Sequence, residues 1–286
     1  HLWYLIKYYI MIKQAIIPLA GLGTRLLPLT SVFPKELLPI NGKPGLEYIL
    51  DECVDAGVKE IIFIISNKKK LIKKYFYNDK FYKNIIKKKK DKRINQEYKK
   101  ILKLKRKIKF VYQNKPLGTG DAVLKTKKFI TGSHFLMLFP DDLILKKNCS
   151  KAMISLHNKY SCSVMASMKV KKKDVSRWGI YSKAKKINKQ NFLIRDVVEK
   201  PNPRNAPSTN AIIGRYILPK AIFSKLKKQT KGIGGEIHIT DSIRKLINQN
   251  HKFIGHNFAG KYIDCGTMSG YIKSSLEISK LWNCAS

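Results

Sequence analysis

Three short runs of almost purely apolar residues constrain this chain more than any other feature. Ala15-Ile16-Ile17-Pro18-Leu19-Ala20, Glu60-Ile61-Ile62-Phe63-Ile64-Ile65 and Phe135-Leu136-Met137-Leu138-Phe139 each have the length of a strand and show no polar alternation. Such strands are covered on both faces, the condition of a parallel sheet with helices above and below it. Between the first two runs, Leu46, Ile49, Leu50, Cys53 and Val54 recur at i, i+3, i+4, i+7 and i+8. That is one apolar face of a helix, and Gly57 stands where a C-terminal cap glycine belongs. Strand, helix and strand at this spacing make a βαβ unit.

The alternation continues along the chain. Residues 108–112 read as a strand and 119–129 as a helix. Further strands are expected at 163–170, 179–182, 192–198 and 211–218, with helices over 220–228 and from Thr240, which reads as a helix N-cap. There is no internal repeat and no proline- or serine-rich linker. The pattern predicts a single α/β domain, Rossmann-like, with a mainly parallel mixed sheet flanked by helices and extra strands in its second half.

Composition narrows the class of partner. The 286 residues are 44% hydrophobic, with a mean hydropathy of -0.27, a soluble globular composition. No stretch approaches the roughly 20 uncharged apolar residues of a membrane span. The 58 basic and 19 acidic residues give a net charge of +39, which would ordinarily suggest a polyanion. Only eight of the basic residues are Arg, the usual reader of phosphates and bases. The Lys excess travels with Ile, Asn, Tyr and Phe, all favoured by A/T-rich codons. A biased genome is the favoured reading and a functional polyanion surface the alternative, and no specific nucleic acid is expected. Residues 68–109 hold 20 basic and 3 acidic residues interleaved with aromatics. A single-strand binder could use that combination; the favoured reading is a solvated helical excursion with its apolar residues turned inward.

The five cysteines are odd in number and widely spaced, with no CxxC pair, so neither a disulfide framework nor a zinc site is indicated and a reducing cytoplasm fits. Residues 1–12 read as an N-terminal extension with Met11 as the natural start. The run ahead of Met11 lacks the basic start and the cleavage site of a signal peptide, and an interfacial anchor is the weaker alternative.

In open α/β sheets, ligands bind beyond the carboxyl ends of the strands. Three polar groups fall at such ends: the 21–25 glycine loop, the 113–118 loop and the Asp141-Asp142 pair. The first, Gly21-Leu22-Gly23-Thr24-Arg25, combines open backbone N–H groups with a fixed positive charge, and Lys35 follows ten residues later. That is a phosphate cradle by composition. It is neither a P-loop nor a G-x-G-x-x-G dinucleotide turn. Asp141 ends an apolar strand, where a carboxylate needs a partner or a metal. Mg²⁺ suits one or two carboxylates completed by substrate phosphates, and a plain loop aspartate is the alternative.

Longer motifs carry a resemblance. Gly21 to Pro28, Phe33-Pro34-Lys35-Glu36-Leu37-Leu38-Pro39-Ile40, Pro116-Leu117-Gly118-Thr119-Gly120-Asp121, Val197-Val198-Glu199-Lys200-Pro201 and Tyr262-Ile263-Asp264-Cys265-Gly266 strongly resemble the sugar-1-phosphate nucleotidyltransferases, in their uridylyl branch. The resemblance runs from about Lys13 to Tyr271. It departs from the branch where Gly235 replaces an Asp. It implies one nucleotidyltransferase domain over 13–283, with a nucleotide-binding half at about 13–145 and a sugar-binding half at about 146–283.

The resemblance also implies roles. Ala20 and Gly21 would face the nucleoside, and Gln113 and Gly118 would read the uracil edge. Gly23, Thr24 and Arg25 would hold the triphosphate, with Lys35 stabilising its charge. Asp141 and Asp264 would share one Mg²⁺. Glu199 would take the glucose hydroxyls beside backbone groups of Gly179 and Gly214, and Lys200 would hold the sugar phosphate. The implied partners are UTP and glucose 1-phosphate, in a homo-oligomeric enzyme, a dimer or tetramer. Plainer readings stand beside these. Gly214 would permit close packing, Glu199 and Lys200 would form a surface ion pair, and Trp178 would pack either a sugar face or the core. A thymidylyltransferase and a catalytically silent regulatory homologue are the rival functions.

Overall fold

The computed structural model describes residues 12–283. The expected N-terminal extension therefore lies, apart from Ile12, outside the described residues. One nine-stranded sheet carries the structure. Its strands in chain order are β1 (Gln14–Pro18), β4 (Glu60–Ile65), β5 (Ile108–Tyr112), β6 (His134–Leu138), β8 (Ser163–Lys169), β9 (Gly179–Lys186), β10 (Asn191–Glu199), β11 (Asn210–Pro219) and β12 (Phe253–Asn257). Their spatial order is β5-β4-β1-β6-β11-β8-β12-β10-β9. Two short pairs stand apart: β2 (Pro39–Ile40) with β3 (Lys43–Pro44), and β7 (Asp142–Leu145) with β13 (Lys261–Asp264).

The parallel core expected from the apolar runs is β5-β4-β1-β6. Its alternate residues face opposite layers. Ile17, Phe63 and Leu136 join one buried cluster, with Leu46, Leu50 and Cys53 of helix α1 (Gly45–Asp55). Ile16, Ile62 and Met137 join the other, where helices α5 (Thr119–Lys125), α7 (Ile222–Lys227) and α8 (Ile239–Ile247) cover the sheet. Each large side chain so buried contributes roughly 1.5–3 kcal/mol, which explains why these strands tolerate no polar alternation. Strand order reverses between β1 and β6, so the loops after these strands open at a topological switch point.

The second half is mixed. β11 runs antiparallel to β6 and β8, β8 runs parallel to β12, and β10 runs antiparallel to β12 and β9. Helix α6 (Cys149–Tyr160) links the halves. The helix expected over 119–129 is shorter: α5 ends at Lys125, and the Thr126 hydroxyl donates to the Val123 carbonyl at 2.7 Å before a 3₁₀ turn at Lys127–Phe129. Local side-chain bonding of this kind competes with helix propagation.

The basic segment between β4 and β5 folds into α2 (Lys70–Tyr77), α3 (Asp79–Lys89) and α4 (Lys92–Lys105). Ile72, Phe76, Tyr98, Ile101 and Leu104 are buried, while Lys87, Lys88, Lys89 and Lys90 face water. The excursion is helical and solvated as the sequence suggested, but its apolar residues are only partly turned inward: Tyr77 and Phe81 are exposed, and α3 buries no residue. The last helix, α9, covers Met268–Asn283, and no helix among the described residues is long and apolar enough to cross a membrane.

Candidate active site

The loop after β1 leaves the sheet edge through Gly21, whose surroundings are open. Gly23 takes a left-handed φ of 71°, and a side chain there would press on Thr30. That turn starts a 3₁₀ helix at Thr24–Leu26, which presents exposed Thr24 and Arg25. A third 3₁₀ turn, Lys35–Leu37, follows one at Leu29–Ser31 and carries Lys35 back towards the same place. Its buried Glu36 is held by the Lys69 ammonium at 2.7 and 2.9 Å.

These two cations meet Asp141. Lys35 Nζ donates to Asp141 Oδ2 at 2.6 Å, and Arg25 Nη2 lies 3.7 Å from the same oxygen. Burial opposes the charge on both Lys35 and Asp141, but their mutual attraction and hydrogen bond outweigh it. Lys35 is therefore held above its ordinary pKa, and Asp141 below its own.

Asp264 lies far away in sequence and close in space. β7 and β13 pair antiparallel with Asp142 opposite Asp264, and Cys265 N–H donates to the Asp141 carbonyl at 2.8 Å. The Asp264 carboxylate accepts from Gly266 N–H at 2.7 Å and lies 3.7 Å from Arg177. Gly266 marks the convergence. A Cβ built there would stand 2.7 Å from Asp141 Oδ2, 3.0 Å from Arg25 Nη2 and 3.0 Å from Asp264 Oδ1. Two carboxylates thus border one small space, and among the described residues no cluster of three or more His, Cys, Asp or Glu side chains forms a metal site. Two hard oxygen donors with the rest of the shell left to water and phosphate fit Mg²⁺.

Asp142 points the other way. It accepts from Tyr262 O–H at 2.7 Å and Gly214 N–H at 2.9 Å, and burial followed by the neighbouring Asp141 charge pushes its pKa up to about 6. The Gly214 carbonyl accepts from Phe139 N–H at 2.9 Å. A side chain at Gly214 would overlap Asp142 and Phe139. Both main-chain groups of Gly214 are engaged within the protein, and no side chain fits there.

A second cluster forms where β9 meets β10. Gly179 is paired opposite Glu199, and a Cβ at Gly179 would stand 3.2 Å from Glu199 Oε2. Thr240 O–H donates to that oxygen at 2.7 Å. The sequence reading of Thr240 as an N-cap is corrected here: the helix begins at Ile239 with His238 as its cap residue, and Thr240 points inward to Glu199. Lys200 lies 4.0 Å from Glu199 in a left-handed conformation, and its N–H donates to the Trp178 carbonyl. Among the described residues its ion pair is with Glu199, while Lys35 and Arg25 pair with Asp141. Trp178 packs against the core and stands edge-on to Tyr262 at 5.8 Å, so Arg177, Trp178 and Tyr262 bridge the two clusters. Arg177 carries no local sequence signal, Tyr262 appeared only within a motif and Thr240 only as a cap; the fold brings all three to the site.

The third group closes the sheet edge above β4 and β5. The Gln113 amide donates to Asp121 at 2.8 Å and to the Gly118 carbonyl at 3.1 Å. Gly118 takes a φ of 98°, and a Cβ there would fall 2.8 Å from the main chain of Ile237. Gly120 N–H and Ile237 N–H complete the join by donating to Ile237 O and Leu117 O. Ala20 is buried with the residues of this edge.

Comparison with known proteins gives the family and the fold. The family model described as nucleotidyl transferase matches residues 14–280. A UTP–glucose-1-phosphate uridylyltransferase of Mycoplasma pneumoniae is 38% identical over 267 residues, covering 93% of this chain and 91% of the relative. A UTP-bound UDP-glucose pyrophosphorylase from Acinetobacter baumannii superimposes with a TM-score of 0.83 at 32% identity, over 94% of this chain and 93% of that one. A UDP-glucose pyrophosphorylase solved with UDP-glucose gives a TM-score of 0.82 at 34% identity, over 94% and 99%.

Proposed function

The chain belongs to the nucleotidyl transferase family, and from that premise we propose that it transfers UMP from UTP to glucose 1-phosphate, releasing UDP-glucose and pyrophosphate. The observation that carries the reading is the convergence of Arg25, Lys35, Asp141 and Asp264 at the switch point of the sheet.

The reaction brings two anions together. An oxygen of the sugar phosphate attacks the α-phosphorus in line. A new P–O bond forms, the bond from the α-phosphorus to the bridging oxygen breaks, and its electron pair leaves on pyrophosphate. The attacking oxygen is ionised at neutral pH, so no general base is needed. The work is alignment and charge neutralisation. Arg25 and the 21–24 backbone would hold the triphosphate, with Lys35 releasing Asp141 to face its phosphates. Asp141 and Asp264 would hold Mg²⁺, which supplies Lewis-acid stabilisation of the phosphate charge when bound. Gln113, Gly118, Ala20 and Gly21 would seat the nucleoside. Glu199, oriented by Thr240 and lying against Gly179, would accept from the sugar hydroxyls, and Lys200 would meet the sugar phosphate.

A homo-oligomer, a dimer or tetramer, belongs to the same reading. Exposed Met268, Ile272 and Leu276 recur every four residues on α9 and support it. A reducing cytoplasmic setting fits the free thiols of Cys53, Cys149, Cys162 and Cys265.

Pyrophosphate release over a panel of nucleoside triphosphates and sugar phosphates, with and without Mg²⁺, tests the function. The expected result is the highest kcat/KM for UTP with glucose 1-phosphate and little release without Mg²⁺. A preference for dTTP would move the enzyme to thymidylyl transfer, and no release with any pair would defeat the proposal.

A further inference from the structure

Among the described residues, Arg215 is the bulkiest fully buried side chain, with 0% exposure. It lies on β11 beneath the candidate site, and all five of its N–H donors find acceptors. Nε and Nη2 grip the Glu52 carboxylate of α1 at 2.8 to 3.1 Å. Nη1 donates to the Gly214 carbonyl at 2.9 Å and the Phe139 carbonyl at 3.3 Å, and Nη2 also donates to the Asp142 carbonyl at 2.7 Å. Glu52 is itself held by the N–H of Ser150 at 3.1 Å and its O–H at 2.5 Å.

The pattern has a specific consequence. Phe139 and Asp142 flank Pro140-Asp141, and one planar guanidinium holds the carbonyls on both sides of that dipeptide. Arg215 therefore braces the backbone on both sides of Asp141. Stability alone gives little reason for such a pair. Taking two charges out of water costs free energy that their attraction only roughly returns, and hydrophobic replacements of similar volume are often neutral or stabilising.

We infer that Arg215, neutralised by Glu52, is a positioning residue that aims the Asp141 carboxylate at the space it shares with Asp264. The inference rests on the proposed function for its chemistry, but its geometry belongs to this chain. Supporting groups behind a metal ligand typically affect metal affinity or activity by about 10–100-fold.

The test compares the parent with Arg215→Lys and with the double variant Glu52→Leu/Arg215→Met. Thermal melting, calorimetric affinity for metal-free UTP and for Mn²⁺·UTP, and the Mg²⁺ activation constant for pyrophosphate release are measured on each. The double variant is expected to melt near the parent and to bind metal-free UTP within about threefold. Its affinity for Mn²⁺·UTP should fall, and its Mg²⁺ constant rise, by about tenfold or more. Parent-like metal values in a folded double variant would overturn the inference. If the double variant fails to fold, Arg215→Lys decides. Its ammonium keeps the charge opposite Glu52 without spanning both carbonyls, so the same metal defect is expected, and parent-like metal values would overturn the inference. A parent that binds Mn²⁺·UTP yet releases no pyrophosphate would defeat the functional reading instead, leaving the calorimetric comparison to judge Arg215.

Discussion

A methyl group added at Gly266 would land 2.7 Å from the Asp141 carboxylate and 3.0 Å from both Arg25 and Asp264. The backbone there is not left-handed, so Gly266→Ala disturbs the convergence with little strain elsewhere. The variant is expected to fold normally and to lose about 10²-fold in kcat/KM, the scale of a 1 Å misplacement. Turnover within threefold of the parent would count against the shared space. Arg25 is exposed and makes its ion pair only across the site, so Arg25→Ala should lower kcat/KM by about 10²–10³ without a change in melting temperature. Steady-state kinetics beside a melting curve separates the two effects. Gly21, Arg25 and Asp141 were legible in the sequence because each follows a strand and the rule for open sheets is local, and Lys35 was legible only as a second cation ten residues beyond Arg25. Asp264 entered only through resemblance, since its place depends on a strand pair about 120 residues apart. Thr240 was misread because a hydroxyl at the head of an amphipathic run is usually a cap. Its partner, Glu199, belongs to a strand that the sequence alone does not bring near.

Among the elements, the loop over 113–120 and the turn at 236–237 hold each other through main-chain bonds, and Gly118 permits their approach. Gly118→Ala meets both a positive φ and the Ile237 backbone. It should cost at least about 1–3 kcal/mol, seen in denaturant unfolding, and should raise KM for UTP more than KM for glucose 1-phosphate. An equal effect on both would detach this join from the nucleoside. The basic excursion gives the opposite expectation. Lys87, Lys88 and Lys89 lie on its exposed face, and replacing all three with Gln should leave kcat/KM within about twofold, because exposed charges beyond a Debye length of about 10 Å are screened. A tenfold loss would make the excursion part of the site. Strands rich in apolar residues were legible, and β7, β12 and β13 were not. β12 carries Gly255 and His256 within five residues, and its glycine is needed because the Phe192 ring lies where a side chain would go. β13 is only Lys-Tyr-Ile-Asp, too short and polar to register by periodicity.

For the molecule as a whole, acid should be destabilising in a defined window. Burial, followed by the charges of His157 and His251, pushes His134 down to about 4, and burial also lowers His157 and His256. A folded pKa below the unfolded one, near 6.5, means that the unfolded chain binds more protons between the two. The stability in place above pH 6.5 is therefore lost as pH falls through the folded values. Asp142 acts in the reverse sense, since its pKa is raised to about 6, but it is one group against three. The melting temperature should fall between pH 7 and pH 5, and His134→Gln should flatten part of that fall; a flat or rising profile in the parent would contradict this. Cations and carboxylates converge where Arg25 and Lys35 meet Asp141 beside Asp264. The most direct test of that convergence is anomalous diffraction from a crystal holding Mn²⁺ and UTP. The expected result is one Mn²⁺ peak within about 2.3 Å of an oxygen of both Asp141 and Asp264, with triphosphate oxygens completing its shell. A Mn²⁺ ion on the triphosphate alone, with either carboxylate out of coordination range, would contradict the account.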